Sequence, residues 1–487
     1  MNTLKTIIAL FFIALFCSCD KLNQKTTDGE PETKASSQID NAFFVSESDV
    51  FLKESNSETQ KKYYTLDKVY HEGNIVAYLL NYEDGWKIYS ADKRLDPVLA
   101  FSDNGNINQN SINAFGIKDW FSSLANKTLE LRQNNSGYVS PLWDNHSSIA
   151  CKEDGDNYKS RDTYTWTKFS SSSNSTVTTA MVEVDLPSKW GQGSPWNKKC
   201  PMDNNYIYQS NRSYVGCAAV ALGQLLLYYN SFINTPSGIW ESIDCSSVSQ
   251  DTTPFPAYYN NLSFYVYKYI VNLQRANFNA NSSYWNDMHI APSLNHDWQY
   301  AQDSTSYVKV IDFLMDVGNR LNMKYSYWVG SGISSNTNMV SALSNYGLTG
   351  TISMFSDSIV RANINLYKPI GIMGQNEQGG GHVWVLDGYK DQTTTTVTTT
   401  TWYFGYTPGI GEPATQAEAR EAAQSAGLDK PEDGMITTSY SNPINKTYYR
   451  MAWGNDGSYD GYYLYGSFMG YNYDLYLLHN IGPNNNQ

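Results

Sequence analysis

The segment from Tyr214 to Tyr229 constrains this 487-residue chain more than any other. From Ala218 it reads Ala-Ala-Val-Ala-Leu-Gly-Gln-Leu-Leu-Leu, apolar nearly all the way round for about three helical turns. A surface helix keeps one polar face. A helix without one has to be packed on every side, so the chain must build a core around it. Gly216 marks a tight turn into this helix and puts Cys217 in its first turn. Unpaired N–H groups and the helix dipole favour a thiolate at that place, whereas an inert structural cysteine belongs in the middle of such a helix.

A cysteine nucleophile needs a base. Of the six histidines, His71, His146, His289, His296 and His479 lie in polar or mixed surroundings. His382 differs. It follows Gly379-Gly380-Gly381 and opens Val383-Trp384-Val385-Leu386, an apolar strand closed by Asp387-Gly388. Glycines lacking Cβ let another segment approach closely, so an imidazole at this strand's start would face a cleft. The other cysteines are Cys17 and Cys19 near the N-terminus, then Cys151, Cys200 and Cys245. No CxxC pair is present, so no structural zinc site is expected. Cys200 and Cys245 are one disulfide pairing open to an exported chain.

Charge and the N-terminus set the compartment. Lys and Arg number 34 against 47 Asp and Glu, a net charge of −13, which excludes a general nucleic-acid binder. Aromatic residues make up 14% and charged residues only 17%, the reverse of a disordered chain. Lys5 precedes an apolar run from Ile7 to Phe16, too short to span a bilayer. With Cys17-Ser18-Cys19-Asp20 after it, the segment resembles a bacterial lipoprotein signal. The small Ser18 makes Cys19 the residue to be acylated. Residues 1–18 then form the signal and 19–38 a polar tether, implying an exported protein held at the bacterial surface or in the periplasm by lipid alone.

A first α+β unit is expected over residues 39–150. It contains strands at Ala77–Asn81 and Trp86–Ser90 around the turn Tyr82-Glu83-Asp84-Gly85, and a helical spacing from Ile117 to Leu131. Residues 151–180 are Ser- and Thr-rich and read as an exposed linker open to cleavage. The large unit over 181–487 carries an insertion at 391–447. In it the Thr run Thr393–Thr401 reads as a hairpin strand and Thr415–Ala426 as a helix, with Pro413 before it and Gly427 after.

Together the thiol at a buried helix mouth and the imidazole at a strand start resemble the papain-type layout, and four segments resemble the streptopain family of cysteine peptidases. These are Trp190-Gly191-Gln192 through Asn197 with Cys200-Pro201, Gly216-Cys217 through Gln224, Gly380-Gly381-His382 through Gly388, and Trp453-Gly454 followed by Asp460-Gly461-Tyr462-Tyr463. Ser90-Ala91-Asp92 and Pro97–Asp103 are similar to the family's propeptide. The resemblance implies a papain-like α+β peptidase domain behind an α+β inhibitory propeptide. It also implies an endopeptidase zymogen that cuts proteins or peptides after a bulky apolar side chain upstream of the cut, without metal or organic cofactor. Cys217 would be the nucleophile and His382 its acid–base partner, Gln192 an oxyanion donor and Trp453 the indole shielding His382. Three departures stand out: Ala452 where the family has Asn, Asn455 where it has a second Trp, and 71 positions between His382 and Trp453. A catalytically silent lipoprotein that binds protein or glycan, and another papain-like thiol amidase, share parts of this pattern.

Overall fold

The computed structural model describes residues 43–55, 63–107, 117–134, 137–143, 147–155, 163–206, 209–233, 243–259, 262–275, 285, 288, 305–376, 380–407, 436–465, 471 and 473–484. Helix α1 (Glu47–Ser55) precedes strands β1 (Tyr63–His71), β2 (Asn74–Tyr82), β3 (Trp86–Ser90) and β4 (Val98–Ser102), and then helix α2 (Ile117–Gln133). Strands β5 (Ser147–Gly155), β6 (Thr163–Glu183), β7 (Met202–Tyr206) and β8 (Gln209–Arg212) lead to helix α3 (Cys217–Tyr228). After β9 (Ile243–Tyr259) and β10 (Leu262–Arg275) come α4 (Thr305–Arg320), β11 (Lys324–Tyr325), α5 (Thr337–Ser344), β12 (Leu348–Met354) and α6 (Asp357–Ile364). The chain closes with β13 (Ile370–Gln375), β14 (Gly381–Thr407), β15 (Ile436–Tyr440), β16 (Ile444–Ala452), β17 (Gly461–Leu464) and β18 (Tyr473–Pro483).

Helix α3 is the centre that its composition demands. Every residue from Cys217 to Leu227 is buried, and the helix packs in one core with α4, α5 and the inward residues Val383 and Val385 of β14. Each fully buried Leu here contributes about 1.5–3 kcal/mol, so the helix is held by packing on all sides. Gly216 enters it with φ 95°, and a Cβ there would clash with Met323 Cε. Only glycine satisfies both the backbone and the space.

The N-terminal unit forms as its turn chemistry and periodicity imply. The Asp84-Gly85 step closes the β2–β3 hairpin, with Gly85 at φ 100° and Tyr82 N–H bonded to the Gly85 carbonyl at 3.0 Å. Helix α2 lays Trp120, Phe121 and Leu124 into the core that also holds Leu79 and Ile88. This unit shares a sheet with the C-terminal one. The strand order is β1-β2-β3-β4-β17-β16-β14-β13-β18-β12, joined where Phe101 and Ala100 of β4 pair Tyr462 and Tyr463 of β17.

The segment expected as a linker carries strands where it is described: β6 pairs β14 from Glu183↔Gly388 to Thr163↔Thr407, and β5 pairs the other edge of β6. Its lack of apolar alternation reflects hydroxyl ladders rather than absent structure. Ser172 and Thr398 hydroxyls meet at 2.8 Å, as do those of Thr176 and Thr394, and Thr396 donates to Asn174 Oδ1 at 2.6 Å. The Thr run is a strand, pairing β15 on its other edge. The signal, Cys19, the tether and the segment 415–426 lie outside the described residues, as do the side chains of Cys151 and Cys245.

Candidate active site

Cys217 heads α3 with 5% of its surface exposed and a free thiol. Burial pushes the thiol above its usual pKa, while backbone N–H groups of Val383, Ala218 and Cys217 itself pull the other way. The contact with Val383 matters most for geometry, because Val383 directly follows His382. The helix mouth therefore abuts the start of β14, and two segments far apart in sequence meet at the backbone.

The loop ahead of β7 reaches the same point. The Val215 N–H donates to the Gln192 carbonyl at 2.9 Å, so residue 192 is fastened two positions before Cys217. Trp190 is fully buried in the α3 core, and Gln224 Nε2 donates to the Ser188 carbonyl at 3.1 Å. Gln192 is 4% exposed, and its Nε2 has no hydrogen-bond partner among the described residues. A buried donor left without an acceptor costs about 1–3 kcal/mol, a cost that an incoming oxyanion would relieve. Beside the loop lies a cavity of ≈ 430 Å³ lined by Gly193, Ser194, Pro195, Asn211, Tyr214 and Tyr327.

His382 is 1% exposed, and side-chain alternation along β14 sets it on the face of Trp384, opposite Val383 and Val385. Its ring stacks on Trp384, Trp453 and Tyr471 at centroid distances of 5.7, 5.8 and 5.6 Å. Nε2 lies 3.3 Å from the Trp453 carbonyl oxygen. Burial in this aromatic cage drives the imidazole pKa from 6.5 down to about 4, with the Trp453 carbonyl opposing. At neutral pH the ring is uncharged. The structure thus brings together Cys217, Gln192 and the backbone of His382, and Trp453 with the His382 ring, but it holds that ring on the indole side of the strand. Ala452 is buried on the Cys217 side and pairs Val385. It offers no side-chain acceptor that would draw the imidazole across.

Acidic groups brace the loop below. Asp460 Oδ1 accepts the Trp453 N–H at 2.9 Å, and burial lifts its pKa to about 6. Asp456, also raised to about 6 by burial, accepts the Trp196 indole N–H. A Cβ on Gly191 would lie 2.5 Å from the Asp456 carboxylate, which explains the glycine next to Gln192. Asp387 is buried and raised to about 8, with Arg450 Nη1 3.6 Å away as the opposing charge. Reading the sequence missed Tyr471 and Trp384 as walls of the His382 cage. Trp384 was detectable from its two-residue offset from His382; Tyr471 carries no local signal.

Residues 190–406 match the model of the Peptidase C10 family, and residues 33–128 match that of the Spi protease inhibitor. Among solved structures, a prointerpain A fragment from Prevotella intermedia aligns with 15% identity and a TM-score of 0.44, covering 85% of this chain and 98% of that one. No curated protein matches the chain. The expected architecture holds, with helices packed on an antiparallel sheet behind an α+β unit of the inhibitor type. With the mouth of α3, the Gln192 loop and the His382 strand converging inside the first matched region, the chain is a cysteine endopeptidase whose residues 190–406 belong to the Peptidase C10 family, preceded by an inhibitor-type domain.

Proposed function

We propose that this chain is an exported, lipid-anchored zymogen, acylated at Cys19, that hydrolyses peptide bonds in proteins through a Cys217–His382 dyad. The observation that carries the reading is the thiol at the mouth of a helix buried from Cys217 to Leu227, held among backbone N–H groups and touching the residue after His382. In the active form Cys217 attacks the scissile carbonyl as thiolate and forms an acyl-enzyme, while imidazolium His382 protonates the leaving amine. Water then attacks the acyl carbon with His382 as base, and the thiolate is restored. Gln192 Nε2 and the Cys217 N–H hold the oxyanion, one such donor being worth about 3 kcal/mol. Trp453 keeps water from the ion pair.

Residues 39–150 act as the inhibitory propeptide, and maturation cuts the connection to the peptidase domain at 181–487, which carries the insertion 391–447. Two features support latency. The neutral His382 ring faces its indole cage, and β4 of the N-terminal unit is hydrogen-bonded into the peptidase sheet. The ring must swing to the Val383 side before the dyad can form. Casein cleavage by wild-type and Cys217→Ala protein after limited proteolysis tests the nucleophile, and equal cleavage by both would overturn it. Incorporation of labelled fatty acid that disappears in Cys19→Ala tests the anchor.

A further inference from the structure

The cavity beside the Gln192 loop differs in charge from the chain around it. The protein carries a net charge of −13, yet this space of ≈ 430 Å³ is lined by Lys198 and Arg212 and by no Asp or Glu. Asp203 is the one acidic residue between Trp190 and Cys217. It is wholly buried and accepts from Ser326 Oγ and the Tyr327 N–H, at 2.8 Å each. Lys198 is exposed and Arg212 half-buried. Arg212 Nη1 donates to the Cys200 carbonyl at 2.6 Å, and its side chain forms no ion pair among the described residues. That bond orients the guanidinium and leaves others of its N–H donors available.

Hydrogen bonds fasten the walls to one another. Asn197 Nδ2 donates to the Ser213 carbonyl at 3.1 Å, and the Ser213 N–H to the Pro201 carbonyl at 2.9 Å. Ser331 Oγ donates to the Tyr214 carbonyl at 2.5 Å. The Tyr214 and Tyr327 rings stack with 5.4 Å between centroids and 10° between planes. The cavity also lies close to Cys217 along the chain. Gly193, in its wall, follows Gln192, whose carbonyl accepts the Val215 N–H at 2.9 Å. Tyr214, also in the wall, stands three positions before Cys217, a span of at most about 11 Å between Cα atoms. An extended substrate advances about 3.3 Å per residue, so about three of its residues cover that distance.

We infer that this cavity is a substrate subsite for an acidic side chain carried within three residues of the scissile bond. Arg212 and Lys198 pair with its carboxylate, and the Tyr214–Tyr327 stack packs against its methylene stem. The negative charge of the chain as a whole disfavours acidic peptides, so the two cations select locally rather than attract in general. The inference deepens the peptidase reading and rests on Cys217 as the nucleophile. It adds an acidic position to the bulky apolar one that the family resemblance implies.

The test uses the full chain after limited proteolysis and a peptide series built on one mapped casein cleavage site. Glu, Gln or Lys is placed in turn at each position within three residues of the cut, and kcat/KM is measured for each peptide. At one position Glu should exceed Gln by about 5- to 30-fold, the range of a charge-assisted hydrogen bond moderated by solvent. Lys should fall below Gln there, and added salt should shrink the Glu-to-Gln ratio. Arg212→Gln and Lys198→Gln should each lower that ratio, and Arg212→Glu should invert the order in favour of Lys. Where an Arg212 variant does not fold, the exposed Lys198→Gln and the salt dependence decide. Glu no better than Gln at every position overturns the inference, as does a ratio that neither variant nor salt moves. Absence of cleavage by wild type, or equal cleavage by Cys217→Ala, overturns the underlying reading instead.

Discussion

Replacing His382 by Phe in the latent chain probes the state of the imidazole through stability. Phe keeps the stacking on Trp384, Trp453 and Tyr471 but cannot titrate. The folded imidazole titrates at about 4 against 6.5 in the unfolded chain. Between those values the unfolded chain binds more protons, so stability is lost as pH falls from about 6.5 to about 4 and changes no further below. At about 1.4 kcal/mol per pH unit the gap amounts to about 3.4 kcal/mol in full. About 2–3 kcal/mol of it is expressed between pH 7 and about pH 4.5. Removing the bond to the Trp453 carbonyl adds an offset of about 1 kcal/mol that does not vary with pH. Asp387, Asp456 and Asp460 titrate in both proteins and largely cancel in the difference. Urea unfolding at the two pH values, in a Cys217→Ala background to prevent autolysis, measures it. Wild type should lose about 2–3 kcal/mol more than His382→Phe on acidification. Equal losses would refute the buried neutral ring, and a greater loss by the Phe variant would indicate an imidazolium paired in the fold.

Gly216→Ala forces a Cβ onto Met323 Cε at φ 95°. It should destabilise by about 2–4 kcal/mol in urea unfolding and lower activity by shifting Cys217. Gln192→Ala should reduce kcat on the order of 100-fold with KM nearly unchanged, as steady-state peptide hydrolysis would reveal. Because β6 is paired to β14 along its length, timed limited proteolysis with N-terminal sequencing should find the early new N-termini outside residues 164–182.

Much of this site was legible because it depends on local rules. An all-apolar helix after Gly216 has one place to go, and a cysteine at its mouth inherits the dipole whatever the surroundings. The strand after His382 and the Asp84-Gly85 hairpin follow from alternation and turn chemistry. Two things were not legible. Ser and Thr without apolar alternation suggested a linker, but strand β6 is specified by a partner over 200 residues away, through hydroxyl contacts such as Ser172 with Thr398. The side of the strand on which the His382 ring rests depends on Tyr471, which comes from a distant segment, and on the missing acceptor at Ala452. Both are long-range choices that local pattern does not encode.

The shared sheet offers a physical route from the N-terminal unit to the imidazole. Trp120 of α2 meets Tyr463 edge-on at 5.8 Å, Tyr463 meets Trp453 edge-on at 5.4 Å, and Trp453 stacks on His382. Tyr463 is also one of the two residues through which β17 pairs β4. Removing the N-terminal unit takes away the Trp120 contact, worth about 0.5–1.5 kcal/mol beyond its buried area. It also unpairs the β17 edge that holds Tyr463 in place. The cage around His382 is thereby weakened at Trp453, while the interactions of Cys217 with Val383 and of Gln192 with Val215 stay within the peptidase domain. Under the proposed mechanism, release of the N-terminal unit would then act on His382 and spare Cys217 and Gln192. Trp120→Ala in the uncut chain should accordingly lower the barrier to ring movement without any cleavage, and trap-type labelling that requires a formed dyad would increase before maturation. If such labelling stayed at the wild-type level, the aromatic route would have to be discarded in favour of simple occlusion of the cleft.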